Sequence, residues 1–436
     1  GTLVAGHNAF GVRLVSVLLT LPMTWAVFRA AEILFDRRVA ACAAIFLNLT
    51  LMVAVGTVIV TPDTPLMVAS AFVLLYLARV LESGTGAWWL AVGAAVGVAL
   101  LSKYTALFFG LTIVLWLVLV PELRRWFLTP WPYLGGVVAF AVFAPGVVWN
   151  AGHGWVSFIK QLGRARGDAF TLDYLLELVP VQFGLATPPI FILGTAGLLA
   201  MLETRGGARP ARVLLGTMIW PLFAYFLWHS LHARVEGNWF APTYPAFAIV
   251  AAVAAVAIDW RGVMRPIADV SRRLALPFGV GLVLLVALQA EFGLLPLRKD
   301  PTARLLGVGW RALAADIEAA RTRLGARCVI GMNYGLVSWL AFYLPAGTCV
   351  AQINERMRWV NMPEPPAELF SGKVLFVGDA NIDASGTLQA RYARIAPQGT
   401  MVRSRGDTPV ETYRIDLVEG LKADPFDRTP PPELQR

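Results

Sequence analysis

The chain has 436 residues, of which 57% are hydrophobic and only 15% charged, and its formal net charge is +9. Soluble domains carry about 25% charged residues, so this composition, with a mean hydropathy of +0.63, excludes a water-soluble globular protein. The basic excess then reads as topology-setting loops and contacts to anionic head groups, with no nucleic-acid partner.

Ten apolar stretches lie near the ~20 residues that cross a bilayer. They run 10–33, 39–60, 65–81, 87–102, 104–120, 131–149, 175–202, 213–231, 243–260 and 275–296. The split inside 87–120 falls at Ser102-Lys103, because a lysine in the middle of a lipid-facing helix is expensive. Cations orient the bundle. One set of span ends holds thirteen, Arg29, Arg37, Arg38, Arg79, Arg124, Arg125, Arg205, Arg209, Arg212, Arg261, Arg265, Arg272 and Arg273. The other holds six, Arg13, Lys103, Lys160, Arg164, Arg166 and Arg234. The first set is cytoplasmic by the positive-inside rule, and both ends of the chain fall outside. The outer face also carries Asp63, Asp168, Asp173, Glu177, Glu236 and all four histidines, so polar chemistry gathers on one side.

Thr61-Pro62-Asp63-Thr64-Pro65 sits between two spans. Asp63 has two readings: a helix cap ahead of Pro65, or a carboxylate at a cavity mouth that takes a proton or binds a sugar hydroxyl. Lys103 likewise is a snorkelling lysine or a point charge for a phosphate oxygen. Arg164 and Arg166 either face solvent and head groups or add bidentate phosphate contacts. The loop from Asn150 to Asp173 has Trp155, Phe158 and Leu162 at helical spacing, expected of a short interfacial helix. The loop from His232 to Tyr244 contains Val235-Glu236-Gly237-Asn238-Trp239-Phe240-Ala241-Pro242, and its Gly, Asn and Pro read as a turn. His229 and His232 are spaced to share a divalent metal, but nothing else in the sequence supports one. No cofactor is assigned.

Beyond Leu297 the chain holds 18 of the 37 Lys+Arg and 15 of the 28 Asp+Glu. Arg304–Leu324 is expected as one amphipathic helix and Tyr334–Leu344 as a second. Short strands are expected at 328–331, 348–351 and 374–377, and a late, edge-like strand at 408–418. This is a small α/β domain with a partly parallel sheet. Cys328 and Cys349 pair if the domain is extracytoplasmic, or remain buried thiols. Residues 423–436 read as a disordered, Pro-rich tail. The fold class is therefore an all-α polytopic membrane bundle of about ten transmembrane helices followed by a small α/β extracytoplasmic domain. The domains divide as 1–296, 297–422 and the tail.

Four stretches, in this order, resemble the bacterial GT-C membrane glycosyltransferases related to protein O-mannosyltransferases and to the aminoarabinose transferase of lipid A. They are Thr61-Pro62-Asp63-Thr64-Pro65-Leu66, Leu100-Leu101-Ser102-Lys103-Tyr104-Thr105-Ala106, the run Trp149 to Phe158, and Val235-Glu236-Gly237-Asn238-Trp239 with Ala241-Pro242-Thr243-Tyr244-Pro245. The resemblance implies sugar transfer from a polyprenyl-phosphate sugar to a lipid, glycan or protein acceptor at the periplasmic face of the bacterial inner membrane. It implies Asp63 as a catalytic carboxylate, Lys103, Arg164 and Arg166 toward the donor phosphate, and His153, Trp155, Glu236, Asn238 and Trp239 toward sugar or acceptor. It also implies a further N-terminal span and an outer Asp-Glu motif ahead of Gly1, as expected if the chain is truncated at its N-terminus. A polytopic transporter is the alternative. It requires polar groups near mid-membrane in two related halves, and here they collect at one face.

Overall fold

The computed structural model describes residues 1–164, 170–203, 209–297 and 300–428, with 162–164 and 202–203 as backbone alone. It forms two units, Gly1–Trp155 with Arg164–Leu285, and Val156–Gly163 with Val286–Arg436. The change of unit therefore falls inside the helix Met264–Phe292, ahead of the 296/297 boundary read from composition.

Among the described residues of the first unit, the helices long and apolar enough to cross a membrane include Ala9–Leu34, Asp63–Ser83, Trp131–Gly152, Arg209–His229 and Gly237–Val256. Met264–Phe292 is the sixth. Two bent pairs raise the total to eight if each is one span: Tyr104–Leu119 with Pro121–Leu128, at 117°, and Asp173–Leu185 with Pro188–Met201, at 110°. Among the described residues, the ten stretches are divided differently at particular places. The stretch 39–60 is a 13-residue helix, Arg37–Leu49, capped by the Asp36 carboxylate and followed by a short turn of helix, Leu51–Ala54. The stretch 175–202 breaks at Thr187, which has φ 66. Pro188 disfavours the helical region for the residue before it, and the Thr187 hydroxyl donates to the Leu49 carbonyl at 2.7 Å. Trp88–Ser102 is apolar but only 15 residues long.

Asp63–Ser83 and Gly237–Val256 are the most buried of these helices. The alanine-rich run Tyr244–Val256 packs closely on Arg37–Leu49 and on the helix starting at Pro188, since small side chains let helix backbones approach. A glycine seam does the same between Trp88–Ser102 and Trp131–Gly152. A Cβ on Gly93 would lie 2.0 Å from the Gly135 carbonyl oxygen, so that face tolerates only glycine.

The second unit is built on a five-stranded sheet of β1 (Cys328–Gly331), β2 (Cys349–Gln352), β3 (Val374–Asp379), β4 (Tyr392–Arg405) and β5 (Thr408–Leu421), in the order β2-β1-β3-β5-β4. β1 pairs in parallel with β2 and β3, and β5 runs antiparallel to β3 and β4. The partly parallel sheet and the helix Tyr334–Tyr343 match the sequence reading. Three points differ. The expected helix 304–324 is two, Pro301–Leu306 and Trp310–Leu324, because Gly307 and Gly309 take φ 76 and 83. β5 is interior and not an edge, because β4 pairs along its whole length. β4 itself went unseen, since most of its residues are exposed or half-buried and show no apolar alternation. Cys328 and Cys349, register partners on β1 and β2, are joined in a disulfide. Residues 423–428 are docked rather than disordered. Phe426 is buried and meets the Phe370 ring edge-on at 5.2 Å, and Arg428 pairs with Glu364 and Asp424. The rest of the expected tail, 429–436, lies outside the described residues.

Candidate active site

Asp63 opens the helix Asp63–Ser83, directly after Pro62. A carboxylate in a helix's first turn faces the positive end of the macrodipole. It does not cap, however. No side chain caps this helix, and both carboxylate oxygens point elsewhere. Oδ1 accepts from Lys103 Nζ at 2.7 Å. Oδ2 accepts from Asn238 Nδ2 at 2.6 Å and from the Thr61 hydroxyl at 3.3 Å. Asp63 is 5% exposed, whereas the Lys103 side chain is 26% exposed. The buried carboxylate thus holds a more accessible ammonium. Removing two charges from water costs several kcal/mol per ion before their attraction repays it, so a pair placed here is an expensive feature.

Each partner arrives by its own local device. The helix Trp88–Ser102 ends at Lys103, whose extended backbone (φ −162, ψ 139) separates it from the 3-10 turn Tyr104–Leu107. Asn238 lies in the 3-10 segment Gly237–Thr243, which side chains fasten from both ends. The fully buried Ser70 hydroxyl donates to the Pro242 carbonyl at 2.6 Å. Gln182 Nε2 donates to the Gly237 carbonyl at 2.8 Å, and the Tyr244 hydroxyl donates to Gln182 Oε1 at 3.1 Å. A serine about two turns along Asp63–Ser83 and two flanking helices therefore fix where Asn238 meets Asp63.

The other residues singled out from sequence fall around this cluster or away from it. Trp239 packs on Phe226 and His229, with ring centroids 5.4 and 5.8 Å apart. Glu236 is exposed and precedes the 3-10 segment without capping it by its side chain. His153 stacks on Trp149 at 4.2 Å, and its Nδ1 lies 2.7 Å from the Trp149 carbonyl. Trp155 is 45% exposed, with φ 57. Arg164 ends the helix Val156–Arg164; its side chain and the whole of Arg166 lie outside the described residues.

Two contributors were not singled out. Asn150, 2% exposed, donates to the Tyr104 hydroxyl at 3.2 Å and to the Gly146 carbonyl at 2.8 Å. It ties the end of Trp131–Gly152 to the residue after Lys103. An amide at the end of an apolar span is the signal that could have found it. Thr61 holds Asp63 from both sides, its hydroxyl also accepting from the Asp63 N–H at 3.3 Å. No group of three or more His, Cys, Asp or Glu that could hold a metal ion occurs among the described residues.

Residues 1–149 match the sequence model of the dolichyl-phosphate-mannose-protein mannosyltransferases. The whole chain is similar in structure to ArnT from Cupriavidus metallidurans bound to undecaprenyl phosphate. The TM-score is 0.63 at 19% identity, covering 98% of this chain and 87% of that one. The chain shares its fold with that protein. ArnT from the same organism in the apo state gives a TM-score of 0.61 at 18% identity, covering 95% of this chain and 85% of that one. No curated protein sequence matches the chain significantly. Together with the apolar helices, the shared fold makes this a multi-pass membrane protein.

Proposed function

We propose that the protein moves a sugar from a polyprenyl-phosphate sugar to an acceptor at the periplasmic face of a bacterial inner membrane, and that Asp63, Lys103 and Asn238 form part of the reaction site. The observation that carries this reading is the constellation itself. Three polar side chains from three elements, 40 and 175 residues apart in sequence from Asp63, converge within 2.7 Å contacts at the ends of apolar helices. The match to a family named for a lipid-phosphate sugar donor and the fold shared with a protein bound to undecaprenyl phosphate support the donor class. The Cys328–Cys349 disulfide supports an oxidising compartment for residues 297–422, since disulfides persist outside the cytosol.

In the proposed transfer, the bond between sugar C1 and the phosphate oxygen breaks, and its electron pair stays on the phosphate. The acceptor heteroatom bonds to C1 and loses a proton. Lys103 has three N–H donors, and Asp63 engages one of them. The others stabilise the charge growing on the departing phosphate, an effect worth about 10²-fold or more. Asp63 keeps the ammonium aimed before the donor arrives. When Lys103 turns to the phosphate, the carboxylate is released to take the acceptor's proton. Asn238 holds the other carboxylate oxygen and so sets the direction of the free lone pairs. Arg164 and Arg166 are proposed as further phosphate contacts, and His153, Trp155, Glu236 and Trp239 as sugar or acceptor contacts.

The test is transfer from radiolabelled polyprenyl-phosphate sugars in membranes carrying the protein. A labelled product that is lost in Lys103→Met and Asp63→Asn at normal protein yield is expected. Equal product from wild type and both variants would refute the site.

A further inference from the structure

A second charged feature lies at the opposite end of the helix Arg209–His229. His229 touches Trp239 beside the Asp63 cluster. Arg209, 20 residues earlier, is therefore roughly 30 Å away along the axis. Between this helix and its neighbours is a cavity of about 360 Å³ whose walls include Leu115, Leu119, Met201 and Val213, with Arg209 and Arg212 among the lining residues. Beyond that end the lining is apolar apart from Thr217. A smaller apolar cavity of about 140 Å³, toward Phe240 and Tyr244, shares Leu198 and Trp220 with it.

The walls are fixed in place. Trp116 Nε1 donates to the Pro210 carbonyl at 2.9 Å, and the Thr112 hydroxyl donates to the Thr217 carbonyl at 2.7 Å. These bonds hold the helices Phe108–Leu119 and Arg209–His229 at a set spacing. Arg209 spends one donor on the Leu119 carbonyl at 3.2 Å and is otherwise exposed. Arg212 has no hydrogen-bond or ion-pair partner among the described residues and is half-buried in the cavity wall. Among the described residues, that guanidinium, next to an apolar slot, has no anion beside it.

We propose that this cavity is a binding site for an anionic phospholipid of the cytoplasmic leaflet. Its phosphate rests on Arg209 and Arg212, and an acyl chain lies in the slot. Three observations select this occupant. Guanidinium groups match phosphate. Arg209 and Arg212 belong to the cation-rich set of span ends, which the positive-inside rule places in the cytoplasm, and the cytoplasmic leaflet is where anionic lipid attracts basic residues. The site is also a bilayer's depth from Lys103, so one sugar-donor phosphate does not reach both. The inference stands whether or not Asp63 and Lys103 are catalytic.

The experiment is native mass spectrometry of the detergent-purified full chain, titrated with phosphatidylglycerol, with phosphatidylcholine of the same acyl chains, with undecaprenyl phosphate and with glycerol phosphate. Phosphatidylglycerol should be retained roughly 30-fold better than phosphatidylcholine, given about 1 kcal/mol for each of the two basic residues at a membrane surface. Arg209→Gln with Arg212→Gln should remove that preference. Gly216→Leu should lower retention of both lipids with the arginines intact, because a side chain there enters the cavity and its Cβ meets only Trp220, at 3.6 Å. Unchanged melting temperatures exclude misfolding; a variant that melts lower is replaced by Arg212→Lys, which should keep the preference. Equal retention of the two phospholipids by wild type would overturn the proposal. So would a preference that survives the double variant, displacement by glycerol phosphate alone, or stronger arginine-dependent retention of undecaprenyl phosphate.

Discussion

Lys103 Nζ lies 2.7 Å from Asp63 Oδ1, across a gap of 40 residues in sequence. The contact joins the break after Trp88–Ser102 to the first residue of Asp63–Ser83. Both residues have bland explanations when read singly. Their meeting, with Asn238 on the second oxygen, makes them a unit whose members should fail together.

Asp63→Asn preserves the shape of the side chain but presents a neutral group to Lys103. Transfer should fall about 10²-fold or more while protein yield stays near wild type. Asn238→Ala should give a smaller loss, because the carboxylate keeps Lys103 and Thr61. The Asp63→Asn/Lys103→Met double variant should be no worse than either single one, as expected of residues acting together. Additive losses in a kinetic double-mutant cycle would show that the two work separately.

Ser70→Ala removes one hydroxyl and leaves the Pro242 carbonyl without its donor. A buried unpaired acceptor costs about 1–3 kcal/mol. The melting temperature should drop, and turnover should fall as well, since the 3-10 segment carrying Asn238 loses its tie to Asp63–Ser83. A lower melting temperature with unchanged turnover would detach Asn238 from the reaction.

Asp300 is 5% exposed and accepts from Arg405 Nη1 at 2.6 Å and from Gln289 Nε2 at 2.8 Å. Arg405 also donates to the carbonyls of Gln289 and Ala290, both at 2.8 Å. Arg405→Met strands a buried carboxylate and two carbonyls. Removing one partner of a buried pair costs about 3–5 kcal/mol. Chemical denaturation should show that loss, whereas Arg394→Met, at an exposed ion pair, should change stability by under about 1 kcal/mol.

Hydrogen bonds from Arg428 and Arg356 hold the Glu364 carboxyl down to about 2, from an ordinary value of 4.5. A carboxylate depressed on folding contributes stability above its unfolded value and loses it as pH falls through the folded one. Docking of residues 423–428 should therefore weaken between about pH 4.5 and pH 2. Glu364 is partly exposed, so salt should blunt the effect. Melting curves of wild type and Glu364→Gln should differ at pH 7 and converge near pH 2; equal melting of the two at pH 7 would assign docking to Phe426 alone.

Cys328 and Cys349 are paired and Cys42 is free. Denatured, unreduced protein should take up one thiol label, and reduced protein three. Replacing both paired cysteines by serine should cost about 3 kcal/mol, the scale for closing a loop of this length. A cysteine introduced at Asp383 should react with a membrane-impermeant reagent in intact cells, and one at Arg209 should not. The reverse pattern would invert the proposed topology.

The sequence alone determined the membrane class, the polar face and the parallel part of the sheet. Apolar length, cation bias and short bounded strands are local properties, and burial in lipid or in a sheet core acts on them directly. It also singled out Asp63, Lys103 and Asn238, but as isolated residues with capping and snorkelling as live alternatives. Only the tertiary structure brought the three together, because a hydrogen bond 175 residues long in sequence leaves no local periodicity to read. The same holds for the bend at Thr187, where a left-handed backbone is held by a bond to Leu49, and for β4, a mostly exposed strand defined by its pairing with β5. The partner, and not the residue, settles each of these. The cavity at Arg209 and Arg212 is the extreme case: two arginines that set topology in the sequence become one end of an apolar slot only when three chain segments close around it.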